Sequence, residues 1–221
     1  MARSRAELDS LVEEAGAAVI VRSADVTDEA AVEDAITSIA EEMGGIDVLI
    51  NNAGGACTKG PLHEQSAKDF RELLDLNVVS IMLVSSAVLR RAMLKQGSGH
   101  IINISSRAGK LGLASMGPYV ASKFAVEGLT ATMAAELRGS VRVNSISPGM
   151  VDTRSFPKAP GRPGVRTAES IRDGLFFLLL ESDECTGQYL HVDEFDTAVA
   201  AGAPSAALKP IDEPAFECSA A

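Results

Sequence analysis

The stretch His100–Lys123, HIINISSRAGKLGLASMGPYVASK, decides how the rest of the chain is read. It opens on an apolar run, His100–Ser105, with the character of a buried strand, and closes on the start of a helical segment, Tyr119–Leu137. On its amino side, Ala18–Val26 (AVIVRSADV) reads as a strand, and Asp28–Met43 as an amphipathic helix stopped by Gly44-Gly45. Ile46–Ile50 is a second apolar strand, ending in the turn sequence Asn51-Asn52-Ala53-Gly54-Gly55, and a helical stretch runs from about Ser66 to Met93. On the carboxyl side, Val141–Ser147 is a strand stopped by Pro148-Gly149. Ala168–Leu180 is a helix that Thr167 can cap, and Tyr189–Val192 is the last strand.

Apolar strands each separated by a helix describe a parallel sheet covered on both faces: an α/β, doubly wound, Rossmann-like fold. Two segments break the rhythm. Residues 155–166 hold three prolines and two glycines and read as a loop, and 196–221, rich in Ala and Pro without periodicity, read as a loosely ordered tail behind a domain of residues 1–195. The composition excludes several classes of function. Thirty acidic against twenty basic residues, a net charge of -10, argue against a nucleic-acid partner. Cys57, Cys185 and Cys218 make no disulfide framework, and neither they nor His63, His100 and His191 have metal-ligand spacing. The longest apolar run, Leu175–Leu180, is too short to span a bilayer, and no secretory signal opens the sequence, so a cytoplasmic protein without a membrane partner is expected.

Tyr119 and Lys123 are four apart at a helix start and share one face. An ammonium within about 4 Å of a phenol, at an effective dielectric of about 20, favours the phenolate by roughly 4 kcal/mol. Tyr-x-x-x-Lys is therefore a sensible way to bring a tyrosine toward working pH. Ser106 ends a strand, where a sheet of this kind places its chemistry. Asn51–Gly54 likewise follows a strand, with small residues that let a ligand approach the backbone. Asn77 interrupts a helical stretch, where its side chain is unfavourable.

Asp25-Val26, Asn51-Asn52-Ala53-Gly54, Asn77, Ser106, Tyr119-x-x-x-Lys123 and Pro148-Gly149 stand in the order and approximate spacing of the short-chain dehydrogenase/reductase family, which the chain resembles to about Asp193. The nearest flavour is the 3-oxoacyl-carrier-protein reductases and related sugar or alcohol dehydrogenases. The resemblance implies hydride transfer between NADP (or NAD) and a small secondary alcohol or ketone. Tyr119 would be general acid/base, Lys123 would bind the nicotinamide ribose and lower the Tyr pKa, Ser106 would orient the substrate oxygen, and Asn77 would hold a relay water. Asp25, next to Val26, would meet the adenine. Asn51, Ala53 and Gly54 would line the ribose side, and Pro148, Gly149, Val151 and Thr153 would frame the nicotinamide. Arg3 and Arg5 would favour the extra phosphate of NADP. A homodimer or homotetramer through the helices of Asn77 and Tyr119 is implied as well.

The sequence departs from the family in two places. No GxxxGxG or GxGxxG occurs in these 221 residues, so the family's first two strands and first helix are read as missing. Glu194-Phe195 stands where a Gly pair is usual. The alternative reading is a truncated member that keeps the site but cannot bind cofactor, serving at most as an interaction subunit.

Overall fold

The computed structural model describes residues 1–15, 19–153, 158, 162–181 and 185–211. Its main sheet has five strands: β1 (Val48–Asn51), β2 (Gly99–Ile104), β3 (Val141–Ser147), β6 (Gln188–His191) and β7 (Leu208–Pro210), in the spatial order β1-β2-β3-β6-β7. The first four are parallel, with Asn51 opposite Asn103, Ile104 opposite Ile146 and Ser147 opposite His191. A small parallel pair, β4 (Met150–Val151) with β5 (Val165–Arg166), stands beyond the carboxyl end of β3.

Because side chains alternate along a strand, the doublet Ile101-Ile102 serves two cores. Ile101 packs with Val143, with Val32 and Ile36 of helix α2 (Glu29–Met43), and with Val84, Val88 and Met93 of the long helix α3 (Ala67–Gln96). Ile102 packs on the other face with Ile146, Leu190, Phe177 and Phe195. Both faces are covered, as the apolar strands predict. Helix α2 starts where Asp28 accepts a hydrogen bond from the Ala31 amide, and it ends at Gly44 with φ +75°, a left-handed turn that favours glycine. Helix α3 is long and apolar enough to cross a membrane by length and composition, with a mean hydropathy of 1.7 over its best window. Half of that window is buried in the fold, however, and it carries Asn77, Ser80 and Ser85 inward, which marks a core helix.

Three elements differ from the sequence reading. Residues 19–25 form no ladder strand; they touch Ala2 through one parallel bridge at Ser23, with Ala24 N–H donating to the Ala2 carbonyl. An apolar stretch becomes a strand only where a neighbour offers backbone groups, and among the described residues Ala2 alone does so. Ahead of it lies helix α1 (Arg5–Ala15), signalled by Ser4-x-x-Glu7, whose Ser4 hydroxyl accepts from the Glu7 amide. The expected loose tail also takes on structure. Residues 192–200 form a helix in which Phe195 is buried, and β7 pairs antiparallel with β6, so the Ala/Pro-rich composition folds because it closes one sheet edge. Residues 212–221 lie outside the described part. Among the described residues no strand pairs with the outer edge of β1, where Val48 and Ile50 are exposed.

Candidate active site

Strands β1, β2 and β3 all end on one side of the sheet, and the polar residues converge there. Asn51, the last residue of β1, is buried, and its amide donates to Ser85 Oγ (3.0 Å) and Asn103 Oδ1 (2.8 Å). Asn103 in turn donates to Thr130 Oγ1 at 2.9 Å, tying β1 and β2 to helix α4 (Gly117–Glu136). The Asn51 side chain is thus committed to the interior, so its backbone and the neighbouring Ala53 and Gly54 are what a ligand can meet.

The odd asparagine of the long helix finds a structural explanation. Residues 75–79 form a π-turn, and Asn77 within it is almost fully buried. Its Oδ1 accepts from the Gly55 amide at 2.7 Å, while its Nδ2 donates to the Gly55 carbonyl and to Ser122 Oγ, each at 3.0 Å. Ser122 donates onward to the Tyr119 carbonyl at 2.8 Å. Asn77 therefore clamps the loop after β1 to the helix of Tyr119. A Cβ added at Gly54 would lie 3.3 Å from Asn77 Oδ1, a tight contact with the clamp.

Ser106 follows β2 in extended backbone, its Oγ accepting from the Ala108 amide at 3.2 Å, and its hydroxyl acts on the Tyr119 phenol. Lys123 is buried, its Nζ donating to the Ile104 carbonyl at 2.9 Å and lying 5.9 Å from the centre of the Tyr119 ring. The four residues Asn77, Ser106, Tyr119 and Lys123 therefore gather in one place. Their electrostatics differ from the Tyr–Lys expectation. Burial pushes the Tyr119 phenol above its usual value; the Ser106 hydroxyl pulls it back in part, and Cys57 pushes it up. Burial also pushes Lys123 down to about 8, against the opposing charge of Glu127. Both groups have lost water, and for each of them burial is the largest effect.

The 3-10 turn Arg107–Gly109 fixes this geometry by close approach. A Cβ at Gly109 would fall 2.8 Å from the Lys123 carbonyl oxygen and 3.0 Å from Glu127 Cγ. Gly109→Ala is accordingly expected to lower folding stability by about 1–3 kcal/mol, read by urea denaturation.

Gly149, at φ +75°, and Pro148 end β3; Val151 lies in β4, with Thr153 exposed just beyond. Arg166 holds this corner by pairing with Asp193 (2.8 Å) and Asp196 (2.5 Å). Much of the expected loop, at 155–157 and 159–161, lies outside the described residues. Arg3 and Asp25 are 3.6 Å apart at the surface, the Asp25 carboxyl held low chiefly by the Thr27 amide, while Val26 packs on the first core. Among the described residues no cluster of His, Cys, Asp and Glu could hold a metal ion. A concavity of about 710 Å³, lined by Asp47, His100, Arg142 and Thr186, lies at the amino ends of the strands, far from this chemistry.

Sequence reasoning did not single out Asn103, Ser122, Thr130 or Glu127. Their one signal is polarity inside apolar segments that the fold then buries.

A doubly wound sheet with serine, tyrosine and lysine gathered at its carboxyl edge defines a class of dinucleotide-binding α/β protein. The short chain dehydrogenase family model matches residues 1–161, and the chain belongs to that family. It is 42% identical over 130 residues to a gluconate 5-dehydrogenase of Gluconobacter oxydans, spanning 58% of this chain and 50% of that one. It is 36% identical over 193 residues to the 2-(R)-hydroxypropyl-CoM dehydrogenase of Xanthobacter autotrophicus, covering 80% of this chain and 77% of that one. The NADP-dependent 3-hydroxy acid dehydrogenase YdfG of Shigella flexneri is 35% identical, with 62% of its length covered. The chain thus spans about half to two thirds of the first and last of these. Among solved structures, a gluconate 5-dehydrogenase from Burkholderia cenocepacia in complex with NADP and tartrate superposes with TM-score 0.78 at 29% identity, over 89% of this chain and 83% of that one. ElxO with NADP bound gives TM-score 0.79 at 27% identity, over 86% and 84%.

Proposed function

We propose that this chain carries the catalytic site of a cytosolic NAD(P)-dependent oxidoreductase that interconverts a small secondary alcohol and its ketone. The observation that carries the reading is the gathering of Ser106 and Tyr119 beside buried Lys123, with Asn77 clamping the loop opposite. Relatives named for gluconate and 3-hydroxy acids, and NADP in the similar structures, support a small hydroxy acid and NADP over NAD.

The residues present fit one half of the cofactor. Lys123, with three donors of which one reaches Ile104, can also serve ribose hydroxyls. Ala53, Gly54, Pro148, Gly149, Val151 and Thr153 would line the rest of that half. On the adenosine side, Arg3 and Asp25 would meet the 2′-phosphate and the adenine. For the pyrophosphate these 221 residues contain no Gly-rich turn of the family type. NADPH, when bound, supplies the hydride. Tyr119 then donates its phenolic proton to the carbonyl oxygen that Ser106 orients, and it is protonated at neutral pH as a donor must be. Asn77 keeps the loop and the helix of Tyr119 in register, leaving a relay water to be placed beside it. Exposed Met82 and Phe124, on α3 and α4, support assembly of two or four copies through those helices.

The test is NADPH titration by fluorescence, followed by turnover of a panel of small keto acids and ketones. NADPH-dependent reduction supports the reading. Absence of both binding and turnover supports the competing one, a family member that keeps the site without holding cofactor.

A further inference from the structure

One helical turn beyond Lys123, Glu127 is only 4% exposed. Its Oε2 accepts from Ser145 Oγ on β3 and from Lys110 Nζ, each at 3.1 Å, while its Oε1 has no partner among the described residues. Gly109 packs against both Lys123 and Glu127, so the turn that carries Lys110 is fixed against this part of the helix. A carboxylate is costly to bury unless paired, and the chemistry proposed above does not use this one. Lys123 is the other buried charge nearby, and its hydrogen bond goes to a neutral carbonyl.

We propose that Glu127 is a positioning residue of the site: its carboxylate, gripped by Lys110 and Ser145, holds Lys123 as a cation beside Tyr119. The inference deepens the oxidoreductase reading and rests on it. Several charged and titratable groups face this pair. Tyr119 and Glu127 share the helix of Lys123, Lys110 comes from the turn after β2, and Tyr189 from β6 has its ring 4.7 Å from Lys110 Nζ. Cys57 faces Tyr119 from the loop after β1, and Arg107 and Glu194 act on Tyr189. Burial drives Lys123 toward the neutral amine, and the Glu127 charge opposes it. Removing the carboxylate lets burial win, so Lys123 loses its proton closer to neutral pH. Removing Lys110 leaves the carboxylate uncompensated, and Lys123 then keeps its proton to higher pH.

The experiment is a ¹³C NMR titration of Lys123 in the full chain, assigned with Lys123→Met, for the wild type and for Glu127→Gln, Glu127→Asp and Lys110→Met. The titration should fall by roughly one pH unit or more in Glu127→Gln, rise in Lys110→Met, and stay near wild type in Glu127→Asp. In parallel, the falling limb of ketone reduction against pH should move with it. Glu127→Gln should match wild type near pH 6 and be about fivefold slower near pH 8. A purely structural role would lower the rate by one factor at every pH and leave the Lys123 titration in place. An unmoved titration in Glu127→Gln and Lys110→Met overturns the proposal. If Glu127→Gln does not fold, Lys110→Met decides alone: an upward shift supports it, no shift overturns it. A wild type without turnover sinks the oxidoreductase reading, while the NMR shifts still decide the role of Glu127.

Discussion

Replacing Tyr119 by Phe is expected to cut turnover by about 10²–10⁴-fold while leaving NADPH affinity within about threefold of wild type. The substitution removes one hydroxyl and keeps the ring, so the packing of α4 is preserved. Lost with the hydroxyl are its interaction with Ser106 and the proton it would donate. Lys123 keeps its bond to the Ile104 carbonyl, and with it the groups proposed to meet the cofactor ribose. Kinetics should therefore show kcat falling with KM nearly constant, the signature of an interaction made in the transition state. The raised phenol adds a directional expectation. Tyr119 is protonated at neutral pH, so ketone reduction should proceed there, whereas alcohol oxidation, which needs the phenolate, should rise with pH. Retained turnover in Tyr119→Phe would remove this residue from its role.

What the sequence made legible follows from how local each signal is. The alternation in His100–Ser105 places Ile101 and Ile102 in two different cores, so the two-layered packing can be read from a single strand. Tyr119 and Lys123 share a helix face by spacing alone, and Asn77 betrays itself as a misfit in a helix before the π-turn that accommodates it is seen. The failures are non-local. Residues 19–25 have strand composition, but pairing depends on a neighbour, and Ala2 supplies a single bridge. The Ala/Pro-rich segment after 196 looked featureless because its organising contact, β7 on β6, lies outside any local window. The Tyr119 phenol moved against expectation because the spacing reports the nearby charge and is silent on the water that burial removes. Glu127 could not be ranked above any other helical glutamate until β3 and the Gly109 turn closed over it.

A second large effect is expected in acid, and it comes from His100 at the far end of the sheet. His100 is buried at the start of β2, and burial, with the nearby Arg142 charge, pushes its imidazole down to about 3. The neighbouring Asn144 shows why the neutral ring is required. Asn144 Oδ1 accepts from the Gln188 amide at 2.9 Å, which fixes the side-chain orientation. Its Nδ2 then donates to the Cys185 carbonyl (2.8 Å) and to His100 Nε2 (2.9 Å). With Nε2 accepting, the proton sits on Nδ1, which has no partner among the described residues. Protonating Nε2 would set two donors against each other. The folded pKa lies below the unfolded value of about 6.5, so the unfolded chain binds more protons between those limits. Stability from this group is therefore full above about pH 6.5 and is lost as pH falls toward 3. Between pH 7 and pH 4 the loss is about 3 kcal/mol. His100→Gln keeps an acceptor for Asn144 and removes the proton sink. Urea denaturation of both proteins at pH 7 and pH 4 should show the variant losing about 3 kcal/mol less than wild type over that interval. Equal acid losses in the two proteins would mean that His100 takes up its proton in the folded state at an ordinary pH, and the Asn144 argument would fall with it.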